Sequence, residues 1–154
     1  MDASIVSFAT ARLVVERIAS AHFEEICRLH RDPEVMRTLS ADGNILPDEV
    51  TREGLRQGAE HWVRHGFGQW IFRDQTNKRL IGRGGLEWRS IDDRDEIGLS
   101  YAVLSRDWGR GYATEMALAS LRVGFERLGF SEIACWTLPI NRASQRVMEK
   151  VGFR

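Results

Sequence analysis

The apolar positions of this chain switch between two periods, and each switch outlines an element. Arg12-Leu-Val-Val-Glu-Arg-Ile18, rich in β-branched residues, predicts a first strand. Ser20 then caps a helix carrying Phe23, Ile26, Cys27, Leu29 and His30 at helical spacing, ending near Asp32-Pro33. The polar stretch from Ser40 to Pro47 predicts a loop. A second helix follows from about Asp48 to His65, stopped by Gly66 and Gly68. Three strands come next: Gln69–Arg73, Leu80–Trp88 and Glu96–Leu104. The turns between them, Asp74-Gln-Thr-Asn77 and Asp92-Asp-Arg-Asp95, are short enough to imply an antiparallel meander.

Beyond Leu104, Thr114, Ala117, Leu118, Leu121, Phe125 and Leu128 share one helical face, and Gly129 ends the run. Glu132–Leu138 reads as a strand reached through that helical crossover, hence parallel to its predecessor. Pro139 ends it. Asn141 caps a last helix with Val147, Met148 and Val151 inward and Gly152 at its end. The order of strand, two helices, three antiparallel strands, helix, strand and helix predicts an α+β fold, one domain over residues 1–154.

Composition narrows the function classes. A chain of 154 residues buries a core without disulfide or metal staples, and 43% apolar with 29% charged residues is ordinary for a soluble domain. Basic and acidic residues balance at 22 each, so no net positive field favours nucleic acid or an acidic membrane. Cys27 and Cys135 form no metal-binding or redox cluster and are expected reduced. His22, His30, His61 and His65 lie in the first two helices without metal-ligand company, and no metal is expected. The N-terminus makes a poor signal peptide, and no apolar run approaches the roughly 18 residues of a membrane span. A cytoplasmic location is the resulting expectation.

The most informative run is Trp108-Gly-Arg-Gly-Tyr-Ala113, between a strand and a long helix. Glycines let the backbone turn tightly and approach a ligand, and the following helix offers its first N–H groups and a partial positive charge. That combination suits a phosphate. No Gly-Lys-Ser/Thr follows, and the dinucleotide fingerprint lacks its third glycine. By themselves Asn141 and Ser144 read first as a helix cap and a first-turn residue, and the parallel topology adds the reading of polar groups at the same sheet edge. Glu87 and Glu96, on the central strands, can take protons beside a cleft or serve as solvated or paired surface acids. Glu115 is explained as a favourable charge in the first helical turn. The tryptophans at 62, 70, 88 and 136 read as core or cleft wall.

Four segments together resemble the GCN5-related N-acetyltransferase (GNAT) superfamily, and particularly its RimJ/RimL-like branch of ribosomal-protein N-terminal acetyltransferases. They are Ala11–Ile18, Asp32-Pro-Glu-Val-Met36, Trp108-Gly-Arg-Gly-Tyr-Ala-Thr-Glu115 and Asn141–Phe153, in the family's order across nearly the whole chain. The resemblance implies a mostly antiparallel sheet with two splayed parallel strands, and transfer of acetyl from acetyl-CoA to a primary amine. It implies that backbone N–H groups of Gly109, Arg110, Gly111, Tyr112 and Ala113, behind Trp108, hold the CoA pyrophosphate. The pantetheine arm would then pair with backbone around Tyr101, Ala102 and Val103, with Asn141 touching the arm. Ser144 falls where relatives place an acid that reprotonates the thiolate. A strand N–H near Val103 is the expected oxyanion donor, and Glu87 or Glu96, acting through water, the expected base.

Relatives continue past Gly152-Phe-Arg154 by another strand or two, so the chain is expected to lack them and to leave an open edge beside 132–138. Monomer and homodimer are both expected states. The acceptor amine, a protein N-terminus or a small molecule, is shaped by the loop from Thr38 to Pro47 and the hairpin 89–95. Asp42, Asp48 and Glu49 there suit a cationic acceptor or a solvated loop. The competing reading is a catalytically silent acyl-CoA-binding module.

Overall fold

The computed structural model describes residues 2–153; Met1 and Arg154 lie outside them. Six strands form one sheet in chain order among the described residues: β1 (Ser7–Ala9), β2 (Leu13–Arg17), β3 (Gln69–Asp74), β4 (Leu80–Ile91), β5 (Arg94–Val103) and β6 (Ala134–Cys135). All pairs are antiparallel except β5 with β6, which is parallel. The helices are α1 (Ala3–Val6), α2 (Phe23–His30), α3 (Pro33–Leu39), α4 (Asp48–His65), α5 (Tyr112–Arg122) and α6 (Arg142–Lys150). The mixed, mostly antiparallel sheet with a parallel last pair is the α+β arrangement the sequence predicts.

Alternation along β4 sorts the layers. Leu86 lies against the segment after α5, where a Cβ on Gly124 would come within 3.0 Å of its side chain. Arg83, of opposite parity, reaches α2 through His30. Leu86, Leu99, Tyr101 and Val103 therefore share the α5 face, and Arg83, Gly85, Glu87, Gly98, Ser100 and Ala102 share the other. Trp62 and Trp70 are both fully buried, and their indole N–H groups donate to Gln69 O and Ile5 O at 2.7 Å. The large aromatics thereby enter the core without an unpaired donor.

Three predicted elements and one turn differ in detail. The first helix ends at His30, next to Asp32-Pro33 as expected, but the pair also starts a helix: Asp32 accepts from Glu34 N, and Pro33 occupies the first helical turn, giving α3. The predicted strand 132–138 pairs only at Ala134 and Cys135, so β6 is two residues long. The long helix passes into a π-turn at Val123–Arg127 before Gly129. The β4–β5 turn tightens to Asp92-Asp93, with φ 50° and 61°, the paired positive values of a two-residue hairpin.

Candidate active site

β5 and β6 pair at Gly98↔Ala134 and Leu99↔Cys135, and then part. The gap exists because β6 stops while β5 runs on to Val103. Leu104 N donates to Ile81 O at 3.0 Å, so alternation turns the backbone groups of Tyr101 and Val103 away from β4, toward the gap. Trp108 Nε1 donates to Val103 O at 2.8 Å. That leaves Tyr101 N–H, Tyr101 C=O and Val103 N–H facing the opening.

Above the gap, Ser105–Asp107 form a short 3₁₀ turn before the glycines. Gly109 and Gly111 have φ 76° and 81°. No protein atom lies within 4 Å of a Cβ built on Gly109, so these glycines supply backbone conformation and an open approach to the first N–H groups of α5. Three anchors hold the turn. Asp32 accepts from Ser105 N at 3.1 Å and Ser105 Oγ at 2.6 Å. Buried Asp107 pairs with Arg79 at 2.8 Å. Arg12 stacks over Tyr112 and donates to Arg110 O at 2.8 Å, while its Nε bonds Glu115 at 2.7 Å. Glu115 also accepts from Thr10 Oγ1 and Arg12 N. Burial works to raise the Glu115 carboxyl, and these donors outweigh it, leaving it below the ordinary value.

A continuous cleft of about 810 Å³ joins these parts. Tyr101, Ala102 and Val103 line it on β5, with Trp108, Gly109, Gly111, Tyr112 and Ala113 at its upper end. Asn141 and Ser144 line the α6 wall. Arg110 does not line it, because its side chain turns toward Asp107. Asn141 Oδ1 accepts from Ser144 N at 3.1 Å, the predicted cap, while its Nδ2 reaches Thr38 O at 3.5 Å. Cap and cleft wall are the same residue.

Tyr101 contributes more than backbone. Its Oη lies 2.9 Å from Ser144 Oγ and 3.0 Å from Ser144 O. Burial pushes Tyr101 up to about 12, against the lowering effect of the Ser144 bond. Burial likewise pushes the Cys135 thiol up to about 11, against the Tyr101 bond. Both groups stay protonated at neutral pH.

Neither carboxylate expected as base lines this cleft. Glu96 lies toward the β4–β5 hairpin and borders a second hollow of about 990 Å³ with Trp88, Phe130 and Val151. Glu87 sits one strand over, opposite Gly98, paired to Arg89 at 2.6 Å and accepting from Gln69 at 3.0 Å. Sequence reasoning missed Ser100, whose buried Oγ has no hydrogen-bond partner, and the anchoring roles of Asp32, Arg12 and Glu115. The Asp-Pro pair was the available signal for the Asp32 anchor. Nothing local announces Ser100.

Residues 12–154 match the family described as Acetyltransferase (GNAT) domain. The chain belongs to the GNAT family. It is 31% identical over 150 residues to the uncharacterised protein YkkB of Bacillus subtilis, covering 94% of this chain and 86% of that protein. It is 30% identical over 159 residues to the FsC-acetyl coenzyme A-N(2)-transacetylase of Aspergillus fumigatus, covering 93% of this chain and 63% of that one. A GnaT-family acetyltransferase from Bordetella pertussis shares the fold at TM-score 0.83 and 23% identity, over 96% and 88% of the two chains. This GNAT protein is thus an acetyl-CoA-dependent acetyltransferase. Among the described residues no group of His, Cys, Asp and Glu could hold a metal ion, and no helix is long and apolar enough to cross a membrane.

Proposed function

We propose that the cleft between β5 and β6 binds acetyl-CoA and that the protein transfers its acetyl group to a primary amine by direct attack. The carrying observation is the gap that opens after Leu99↔Cys135 and ends at the glycine turn. Pyrophosphate would sit on the N–H groups of Gly109 to Ala113, where aligned peptide dipoles favour negative charge. The pantetheine arm then adds to the open side of β5 as a strand would, using Tyr101 and Val103, with Asn141 beside it. This places the thioester near the apex, where β5 and β6 meet.

At the apex the amine nitrogen bonds to the thioester carbon, the oxyanion collapses, and the C–S bond breaks. A backbone N–H of the Tyr101–Val103 segment stabilises the oxyanion. The thiolate takes its proton from the Ser144–Tyr101 hydroxyl pair. Glu87, one strand from the apex, accepts the amine proton through water. Glu96 lies two residues further down β5 than Gly98, so Glu87 is the better placed base. The name of the Aspergillus relative, an N(2)-transacetylase using acetyl coenzyme A, supports nitrogen as the acceptor. The Trp-Gly-Arg-Gly-Tyr-Ala-Thr-Glu run supports the RimJ/RimL-like branch.

The test is thiol release from acetyl-CoA against N-terminal peptides, polyamines, amino acids and aminoglycosides. At least one class should turn over. Binding without turnover across the panel points to a silent module, and no binding at all overturns the reading. Gly111→Val places a branched side chain at φ 81° in the cradle and should lower CoA affinity at least tenfold in a protein that still melts cooperatively.

A further inference from the structure

The sheet face opposite α5 carries a cation, Arg83, that forms no ion pair with a described residue and feels Glu87 only at longer range. Arg83 donates its Nε–H to His30 Nε2 at 3.0 Å and makes no other hydrogen bond or ion pair to a described residue. Because a guanidinium only donates, His30 Nε2 must accept, and its Nδ1–H then donates to Thr51 Oγ1 at 2.9 Å. Burial, with Arg83 second, pushes His30 down to about 3, so it is neutral and contributes no charge. The carboxylate on the same strand face, Glu87, is committed to Arg89 and Gln69. Four N–H donors of a partly buried guanidinium are left over.

Room lies beside them. Cross-strand partners on this face are Arg83↔Ala102, Gly85↔Ser100 and Glu87↔Gly98. Trp136 and Arg89 cover Gly98, and Gly68, Gln69 and Trp70 close on Gly85, so the open part of this face lies at Ala102, opposite Arg83, and at Ser100. Ser100 adds a second unmet group, the one buried side-chain polar atom among the described residues without a hydrogen-bond partner. Ser100 and Ala102 line the cleft, facing Val35, Thr38 and Leu39 of α3. Buried polar groups are almost always partnered, and leaving one unmet is costly. A guanidinium with spare donors and an unmet buried hydroxyl on the neighbouring strand mark a site that a ligand completes.

We infer that Arg83 and Ser100 bind a carboxylate on the acceptor, so that the substrate is an amine that also carries a carboxylate, as an amino acid does. The inference rests on the thioester lying at the apex. From there Arg83 is one strand across, ~4.8 Å, and three residues along, roughly 10 Å, a span that its own side chain and a small molecule cover together. A carboxylate matches the planar fork of a guanidinium with two parallel hydrogen bonds. The charge count selects a monoanion: Arg89 and Glu87 cancel, leaving one positive charge at Arg83. A phosphate dianion would meet Glu87 with its second charge uncompensated.

Rates of thiol release with α- and ω-amino acids should be compared with those for the same compounds as primary amides. The wild-type protein should prefer at least one free acid to its amide tenfold or more in kcat/KM. Arg83→Gln should bring that ratio near one, mainly by raising KM for the acid, and Arg83→Lys should restore part of it. Ser100→Ala, a milder change, should lower the ratio about three- to fivefold if Arg83→Gln does not fold. Amides equal to or better than acids, turnover of neither set while calorimetry shows acetyl-CoA bound, or a ratio unmoved in both Arg83→Gln and Ser100→Ala overturns the inference alone. Absence of acetyl-CoA binding instead overturns the reading on which it rests.

Discussion

At the scale of single residues, the chemistry concentrates on two hydroxyls that share a proton network, Tyr101 and Ser144. Since Tyr101 titrates near 12, it remains protonated across the working range, and its loss of a proton cannot shape a basic limb below pH 10. Tyr101→Phe and Ser144→Ala should each lower kcat roughly 10²-fold, the lower end for a lost acid–base group. KM for acetyl-CoA should stay within a few-fold, because the arm is held by backbone. Steady-state kinetics check both; a large rise in KM with unchanged kcat would reduce the pair to a binding role. Cys135 offers a separate check. With its thiol raised to about 11, it should alkylate with iodoacetamide at pH 8 far more slowly than a free thiol. Ser144 could be found from the sequence because it sits three residues after a capping Asn. The Tyr101 hydroxyl could not, because only the fold brings residues 101 and 144 together.

Among the elements, α3 and the turn after β5 depend on one carboxylate. Asp32 caps α3 and also accepts two hydrogen bonds from Ser105, so a single side chain fixes the glycine turn against the helix across the cleft. Burial tends to raise the Asp32 carboxyl, and the bonds from Ser105 and the α3 backbone outweigh it, leaving it lowered. A depressed carboxylate contributes stability above its unfolded value, near pH 4, which is lost as pH falls through the folded one. Asp32→Ala should cost about 1–3 kcal/mol at pH 7, and less at pH 3. Denaturant melts at the two pH values decide it; an equal loss at both would mean that the charge is not involved. Periodicity announced α2, α4, α5 and the β3–β5 meander, whose apolar faces are long enough to show. It missed α3, seven residues behind a proline, since Asp-Pro fits the end of one helix as well as the start of the next. It overextended β6 because Glu132–Leu138 has strand composition, whereas pairing ends where the two strands part to form the cleft.

Across the whole molecule, the sheet and the helices on its second face are joined at His30, which links Thr51 on α4 to Arg83 on β4. A histidine held near 3, against an ordinary 6.5, binds its proton more readily unfolded than folded. Its contribution is complete above pH 6.5 and is lost as pH falls toward 3, at up to ~1.4 kcal/mol per pH unit. Wild-type stability should therefore decline from pH 7.5 to 5.5 more steeply than that of His30→Gln, measured by urea unfolding. Identical slopes would place the titration elsewhere. At this scale the glycine turn, the open strand β5 and the cap at Asn141 become one site only because β5 and β6 run parallel and then separate. The central claim is that acetyl-CoA occupies that separation. Amide hydrogen exchange with and without acetyl-CoA tests it most directly. Acetyl-CoA should slow exchange at Tyr101, Val103 and Gly109 to Ala113, with Ile97 and Phe130 beside the second hollow unchanged. Protection at the second hollow, with none at Tyr101, Val103 or the glycine turn, would contradict it.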